Sequence, residues 1–528
     1  MPITYWLSIS IVVVFILSGL YNIHKRLTYI LILTALNLLA STAFEMAHHV
    51  DVYLHTSMVE SISLYKLEEE PPKNRLYATT FPTLTIFTSI FKQILDIDII
   101  LITRLFEYFF SILVGLILYV TVSRINKHNT FLISLSFPAL VLTTFHLSPS
   151  TLAYLYYAII IYAYVSIILY EKYVKPYLLL LFIIISILPM TNPTFDYYAL
   201  LISLLLLVSL YIKRTDRRKF FIIFTISILM FVSIISWIIY RGEEIGIKST
   251  IRAIDETAPL LPLNPSYSRL IYNYFEYFII GSVLIILVSS LIIAIKRLNN
   301  YGDYKINNLM TLLIVLAISP FIFLVIAVET SDISFVIRNY GLLLIVLPLI
   351  IAVTNFFVKN SKIIKILMII VVIGIIIQPI SRWGLNPHIY SPASSLFMSN
   401  FLLLHTDGTI IIISPTRDIY QLIYYYTPYH RSSDVWQIDF RNYIVDDADY
   451  NVLYQSVVEN LQKSLSNPLE RNRYSIVSKH ASNNIASAYK AYDYINYVNE
   501  RLAEENNILS DAGSIKLYRY EKIRYSTP

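Results

Sequence analysis

The stretch FEMAHHVDVYLHTSMVESI, Phe44 to Ile62, gathers Glu45, His48, His49, Asp51, His55 and Glu60 directly behind a long apolar run. Carboxylates and imidazoles grouped this way can move protons or hold a cation. Adjacent residues on a helix project to different sides, so His48 and His49 do not make a chelating pair. Asp51 and His55 stand four apart and share one helical face, where the imidazole can orient the carboxylate. Asp51 is also a favoured residue for capping a helix that begins near Val52. Further along, Arg104 and Glu107 lie three apart inside an apolar run, at the spacing of a pair that neutralises itself. Arg338 stands at the mouth of another apolar run with no acidic neighbour beyond Asp332, suited to holding a phosphate or to anchoring at the interface. Asp96 and Asp98 copy the letters of a metal-binding Asp-x-Asp. They stand where an apolar run resumes, and acids suit the positive end of a helix beginning there.

The elements that must position these groups are apolar. Of 528 residues, 56% are hydrophobic and only 14% charged, against about a quarter charged in a soluble chain. Runs such as LSISIVVVFILSGL, LLIVLPLIIAVTNFF and IIKILMIIVVIGIII reach, with their flanks, the ~20 residues that cross a ~30 Å hydrocarbon core. The pattern predicts an α-helical polytopic membrane protein with about twelve spans, near 4–21, 27–44, 99–120, 130–146, 151–170, 174–190, 194–212, 219–240, 271–295, 306–328, 337–357 and 362–380. The first run lacks a basic front and a small-residue cleavage site, and reads as a retained helix. The run TTFPTLTIFTSIFKQIL (79–95) is short and carries Pro82 and Lys92, so it is expected to lie at the interface or to re-enter. With no cysteine in the chain, disulfides, thiolate metal sites and thiol catalysis are excluded.

Charge sets the orientation. Six short loops, from NIHKRL to VKNSKIIK, hold 17 Lys and Arg in 49 residues. The opposite set, 45–98, 147–150, 191–193, 241–270 and 329–336, holds about half as many over about twice the length. The basic set is expected in the cytoplasm, with the 45–98 loop and both termini outside. The net charge of +6 is largely this excess and calls for no nucleic-acid partner. Residues 1–384 thus form a transmembrane domain. From 385 to 528 the chain turns polar and is expected to fold as a small α/β domain outside the membrane. GTIIIISPT reads as a buried strand, DDADYNVLYQSVVENLQKSL and ASNNIASAYKAYDYINYVNERLAEENN as helices, and ILSDAGSIKLYRYE as a hairpin.

Three stretches carry a likeness to a known family. They are DVYLH followed by Tyr77 and TFPTLTIFTSIF and then ITRLFEYFFSILVGL; LPMTNPTFDYYALL; and IRNYGLLLIVLPLIIA. Together they resemble the C-type (GT-C) superfamily of polytopic membrane glycosyltransferases, over essentially the whole membrane part. Those enzymes place an essential acid in the first large outer loop, a Tyr/Pro-containing loop helix after it, an Arg near the start of the next span, and a late Arg-aromatic span. Here two spans precede the acidic loop, where most relatives have one, and Asn192 stands where many relatives have the His of Thr-His-Pro. The resemblance implies transfer of a sugar from a polyprenyl-phosphate carrier to an acceptor lipid, glycan or protein at the outer face of the cell membrane. It implies Asp51 as base, oriented by His55, and donor contacts from Tyr77, Arg104, Asn192 and Arg338. No cofactor is called for, and a divalent metal is compatible with the acidic loop.

No P-loop, dinucleotide glycine fingerprint, HExxH or Gly-x-Ser-x-Gly stands out, which argues against cytoplasmic nucleotide chemistry. A transporter would show interrupted spans with midplane charges in matched halves, and the charges here stand mostly at outer ends. A non-catalytic envelope scaffold is the remaining alternative, opposed by the acidic first loop. The absence of native cysteine makes topology directly testable. An impermeant thiol reagent on intact cells should label Ser514→Cys in the tail and spare Thr215→Cys in the IKRTDRRK loop; the reverse pattern would invert the orientation.

Overall fold

The computed structural model describes residues 25–43, 82–97, 99–127, 129–140, 148–169, 174–212, 217–241, 333–358 and five strands between 409 and 520, with helical positions within 55–59, 278–318 and 366–377. Helices dominate this set. They are α1 (Lys25–Ala43), α2 (Pro82–Leu95), α3 (Ile99–Ile125), α4 (Thr130–Ser134), α5 (Ser136–Leu140), α6 (Pro149–Leu169), α7 (Val174–Thr191), α8 (Pro193–Ile212), α9 (Arg217–Arg241) and α10 (Ile333–Val358). Three stretches among the described residues are long and apolar enough to cross a membrane: Leu101–Ile125, Pro149–Leu169 and Arg217–Ile239.

The bundle is built around α6. It is apolar on every side, and most of its residues are buried, as suits a helix surrounded by others. It packs against α3, α7, α8 and α10. At Gly341 of α10 the Tyr154 hydroxyl of α6 lies against the backbone where any Cβ would stand, so only glycine permits this approach. The outer surfaces are the opposite of a soluble protein's. On α9, Phe221, Phe224, Ile228, Phe231, Val232 and Ile239 are exposed, a surface that fits hydrocarbon and not water. α2 buries Thr85, Thr88 and Ser89 and exposes Ile86, Ile90, Phe91 and Ile94. At 14 residues it is about 21 Å long, too short to cross a ~30 Å core.

Prolines shape two of the helical segments. A proline has no N–H for the carbonyl four residues earlier. The expected single span 130–146 is instead divided, over its described part, into α4 and α5, with Pro138 four residues after Ser134. The Ser134 carbonyl, which Pro138 cannot serve, accepts a hydrogen bond from the Tyr29 hydroxyl of α1 at 3.2 Å. In α7, Pro189 leaves the Ile185 carbonyl without its helical donor. There the Ser233 hydroxyl of α9 donates at 3.0 Å.

The two ends of the bundle differ in charge. Lys25, Arg26, Arg124, Lys127, Lys175 and Arg217–Lys219 stand at the ends of α1, α3, α7 and α9 that meet the C-terminal end of α6. Arg124 lies beside the T-shaped ring pair of Tyr162 and Tyr177, 4.4 and 5.6 Å from their centres. It donates to both hydroxyls, at 2.5 and 3.0 Å, and to Ser166. Lys219, 5% exposed, donates to the Ile168 carbonyl at 3.3 Å. A cation there offsets the negative end of α6.

Near the C-terminal end, β1 (Thr409–Ile413), β2 (Val435–Ile438), β3 (Arg473–Ser478), β4 (Asn507–Asp511) and β5 (Ile515–Tyr520) form one sheet in the order β2-β1-β3-β5-β4. β1 runs parallel to both β2 and β3, in register Ile410↔Val435 and Ile410↔Tyr474. β5 is antiparallel to β3 and β4. The four consecutive isoleucines of β1, flanked on both sides, are the continuous apolar run of a central strand. The helices expected between these strands, and the first span, lie outside the described residues.

The borrowed hydroxyls give a stability prediction. Tyr29→Phe and Ser233→Ala should each cost about 1–3 kcal/mol by leaving a buried carbonyl unserved, read as a lower midpoint of thermal unfolding in detergent. In a Pro189→Ala background, where residue 189 regains its N–H, the cost of Ser233→Ala should shrink. An equal cost in both backgrounds would separate the hydroxyl from the proline.

Candidate functional site

The end of the bundle opposite Arg124 collects the N-termini of α3, α6, α8 and α10. Two turns at this end are built alike. In SPS, Ser148 precedes Pro149, the first residue of α6, and its Oγ accepts the Thr151 N–H at 3.3 Å. That is an N-cap followed by a proline whose missing N–H costs nothing at the first helical position. In NPT, Asn192 stands before Pro193, the first residue of α8. Its carbonyl accepts the Phe195 N–H at 3.1 Å, and its own N–H donates to the Leu188 carbonyl of α7 at 2.9 Å. Its side chain does not cap α8. Nδ2 instead donates to Ser150 Oγ at 3.2 Å, tying the first turn of α6 to the start of α8.

Below this junction stands Asp196, in the first turn of α8. It is fully buried, and neither carboxylate oxygen has a hydrogen-bond partner among the described residues. The neighbouring Phe195 is set among rings. Phe195 meets Tyr154 edge-on at 4.8 Å, Tyr157 at 6.4 Å and Tyr198 at 6.4 Å. Deeper on the same face of α8, Ser203 is hydrogen-bonded to the Tyr164 hydroxyl and lies 3.5 Å from Met230 Sδ.

On the other flank of α6 is an apolar pocket of about 210 Å³ between α2 and α3. Phe87, Phe91, Leu105, Phe106, Phe109 and Phe110 supply much of its wall. Phe106 and Phe110 stack at 4.1 Å and, with Leu84, pack on Leu152 of α6. Phe91, Leu105 and Phe109 are exposed at its rim, so it opens on the apolar outer surface of the bundle. Ile97 and Ile102 also line it, and these same residues pack against Val59. Val59 is one helical turn beyond His55, which is itself buried. A piece of the long acidic loop is therefore seated beside the pocket.

Of the sequence-predicted site residues, the structure describes His55 and Asn192 with their side chains. Arg104 lies in α3 and Arg338 in α10, one turn before Gly341. Asp51 and Tyr77 lie outside the described residues. The DID stretch is a turn in its described part. Asp96 follows the last residue of α2 with φ +50°, a left-handed conformation that ends the helix and lets α3 begin three residues later. Among the described residues no group of three or more His, Asp or Glu is placed to hold a metal ion. Sequence reasoning missed Asp196. Its signal was present, because it is the only charged residue between Thr194 and Ile212.

A scan against protein-family models finds no family that matches this chain, and a search of curated proteins finds no matching relative.

The left-handed Asp96 separates two roles for DID. Asp96→Gly should leave stability unchanged or raise it by up to about 1 kcal/mol, since glycine adopts this conformation without a Cβ penalty. Asp96→Ala should lower it by about as much. Thermal unfolding with and without added divalent ions checks this; a metal-dependent stabilisation lost in Asp96→Gly would restore the metal-binding role.

Proposed function

We propose that this chain is a membrane glycosyltransferase of GT-C type, which transfers a sugar from a polyprenyl-phosphate carrier to an acceptor at the outer face of the membrane. In this reading it crosses the membrane about twelve times, α2 lies at the outer interface, and residues 385–528 form an extracytoplasmic α/β domain. The observation that carries the reading is the aromatic pocket between α2 and α3. It opens toward lipid, has an almost wholly apolar wall, and adjoins the buried end of the acidic loop through Ile97 and Ile102. At about 210 Å³ it is smaller than the 300–1,000 Å³ of a site for a whole small molecule, and suits a stretch of one hydrocarbon chain. Its position at the end away from Arg124 and Lys219 fits the outer leaflet under the positive-inside rule.

The chemistry asks for few groups. Asp51 takes the proton of the acceptor hydroxyl as that oxygen attacks the anomeric carbon, and His55 orients it. The departing phosphate of the carrier is met by Arg338 and Arg104, whose guanidiniums offer paired donors to a phosphate. Asn192 and Tyr77 complete the donor contacts. The acceptor lipid, glycan or protein approaches from the side of the extracytoplasmic domain.

Turnover of radiolabelled polyprenyl-phosphate-sugar in membranes carrying the protein tests the reading. Asp51→Asn keeps the size of the side chain and should lower the rate by ~10²–10⁴ with carrier binding largely kept. Arg338→Ala should weaken carrier binding. No transfer by the wild-type chain across a panel of sugars and acceptors, or full activity in Asp51→Asn, would overturn the assignment.

A further inference from the structure

We propose that the five-stranded sheet carries a binding site for a phosphate group, at the carboxyl ends of β1 and β3. The site is built from the sheet and its connections alone and is independent of the transferase reading.

The first support is topology. β1, β2 and β3 are parallel, and β4 is parallel to them too, since β5 runs antiparallel to both β3 and β4. From β1 the chain moves one place toward one edge, to β2. From β2 it returns past β1 to β3, and from β3 it continues past β5 to β4 at the opposite edge. The gaps 414–434, 439–472 and 479–506 are each long enough for the crossover that parallel strands require. Crossovers of this kind are right-handed. Handedness then sends the connection leaving β1 over one face of the sheet and the connection leaving β3 over the other. The consecutive isoleucines of β1 agree, since both faces of that strand are apolar and each needs a cover. β1 and β3 are neighbours, so the chain parts between them at their carboxyl ends. Such a divide is where open α/β sheets seat their ligands.

The second support is the chemistry the chain brings there. β1 ends at Ile413, in register with Val477, and β3 ends one residue later at Ser478. SPTRD (414–418) and KHASN (479–483) follow. Both stretches lie outside the described residues, and covalent geometry bounds their place. With ~4.8 Å between strands and ~3.8 Å per residue, Ser414 and Lys479 are held within about 16 Å of each other. The two stretches supply Arg417, Lys479 and His480 against one acid, Asp418, together with the hydroxyls of Ser414 and Thr416. That balance of cations and donors suits an oxyanion and offers a hard metal ion too few carboxylates. A helix that follows a parallel strand begins at that strand's carboxyl end, and its N-terminus attracts an anion. Two crossovers leaving one divide bring two such ends to it.

A phosphate can arrive on a soluble ester or on a lipid, and the test separates the two. Binding to the purified full-length chain in nanodiscs is measured for a hexose 1-phosphate in solution, the same hexose without phosphate, and polyprenyl phosphate within the disc. At least one phosphate probe should bind through this site, and the free hexose should not. Lys479→Gln and Arg417→Gln should each weaken that binding about 10- to 100-fold, as expected for a lost hydrogen bond to a charged group. Lys479→Arg keeps the charge and should retain binding, which separates loss of charge from loss of fold. Arg473→Gln removes the same charge at the amino end of β3 and should change nothing. The probe whose binding falls in Lys479→Gln identifies the source, soluble ester or lipid. If neither phosphate probe loses binding in Lys479→Gln and Arg417→Gln, or if Arg473→Gln loses as much, the site is overturned.

Discussion

Polar groups inside this bundle depend on partners within the protein, because the surface around it is largely apolar. Unserved backbone groups cost several kcal/mol each in such a setting. The structure meets the demand with side chains lent from neighbouring helices. Pro138 and Pro189 each orphan a carbonyl, and Tyr29 and Ser233 supply the missing donors. The same bonds fix which helices are neighbours, since α1 is thereby committed to α4 and α9 to α7. Arg124 and Lys219 obey the same rule at the basic end, one beside a pair of tyrosines and the other serving the end of α6. Against this background a fully buried carboxylate without a donor is conspicuous, and it lies where the helix N-termini converge.

Much of the helical order could be read from the chain. Described helices stand over the expected spans at 27–44, 151–170, 174–190, 194–212, 219–240 and 337–357, because long apolar runs punctuated by Ser-Pro, Asn-Pro and basic loops leave little choice. The limits of the reading are physical too. The span expected at 130–146 is divided because Pro138 lies inside an apolar run, where hydropathy averages over it. The acids of DID were read as opening the helix that follows, and the described Asp96 instead ends the one before it, since three letters cannot reveal a left-handed φ. The bond from Asn192 to Ser150 joins two turns 42 residues apart, a distance only the fold can close.

The candidate site was legible in kind more than in detail. His55 marked the acidic loop; the structure buries it, and Val59, four residues on, packs against the start of α3. The aromatic pocket was hidden in ITRLFEYFF, where four aromatic residues in nine read equally well as packing. Asp196, a lone acid four residues after Asn192 in an Asn-Pro turn, reads in the sequence as one more polar residue of that turn.

The inverted face of α2 bears on how the protein is assembled during synthesis. α2 packs against α7 as well as against α3 and α6, and α7 begins at Val174, about 80 residues after α2 ends at Leu95. While α3 and α6 are being made, the α7 part of the surface that covers α2, with its buried Thr85, Thr88 and Ser89, does not yet exist. A helix too short to cross and too polar on one side to enter lipid alone must wait at the membrane surface with those hydroxyls in water. Its docking is then completed only when α7 has been inserted, although the hydrocarbon pocket that α2 shares with α3 is walled by those two helices and the turn between them alone.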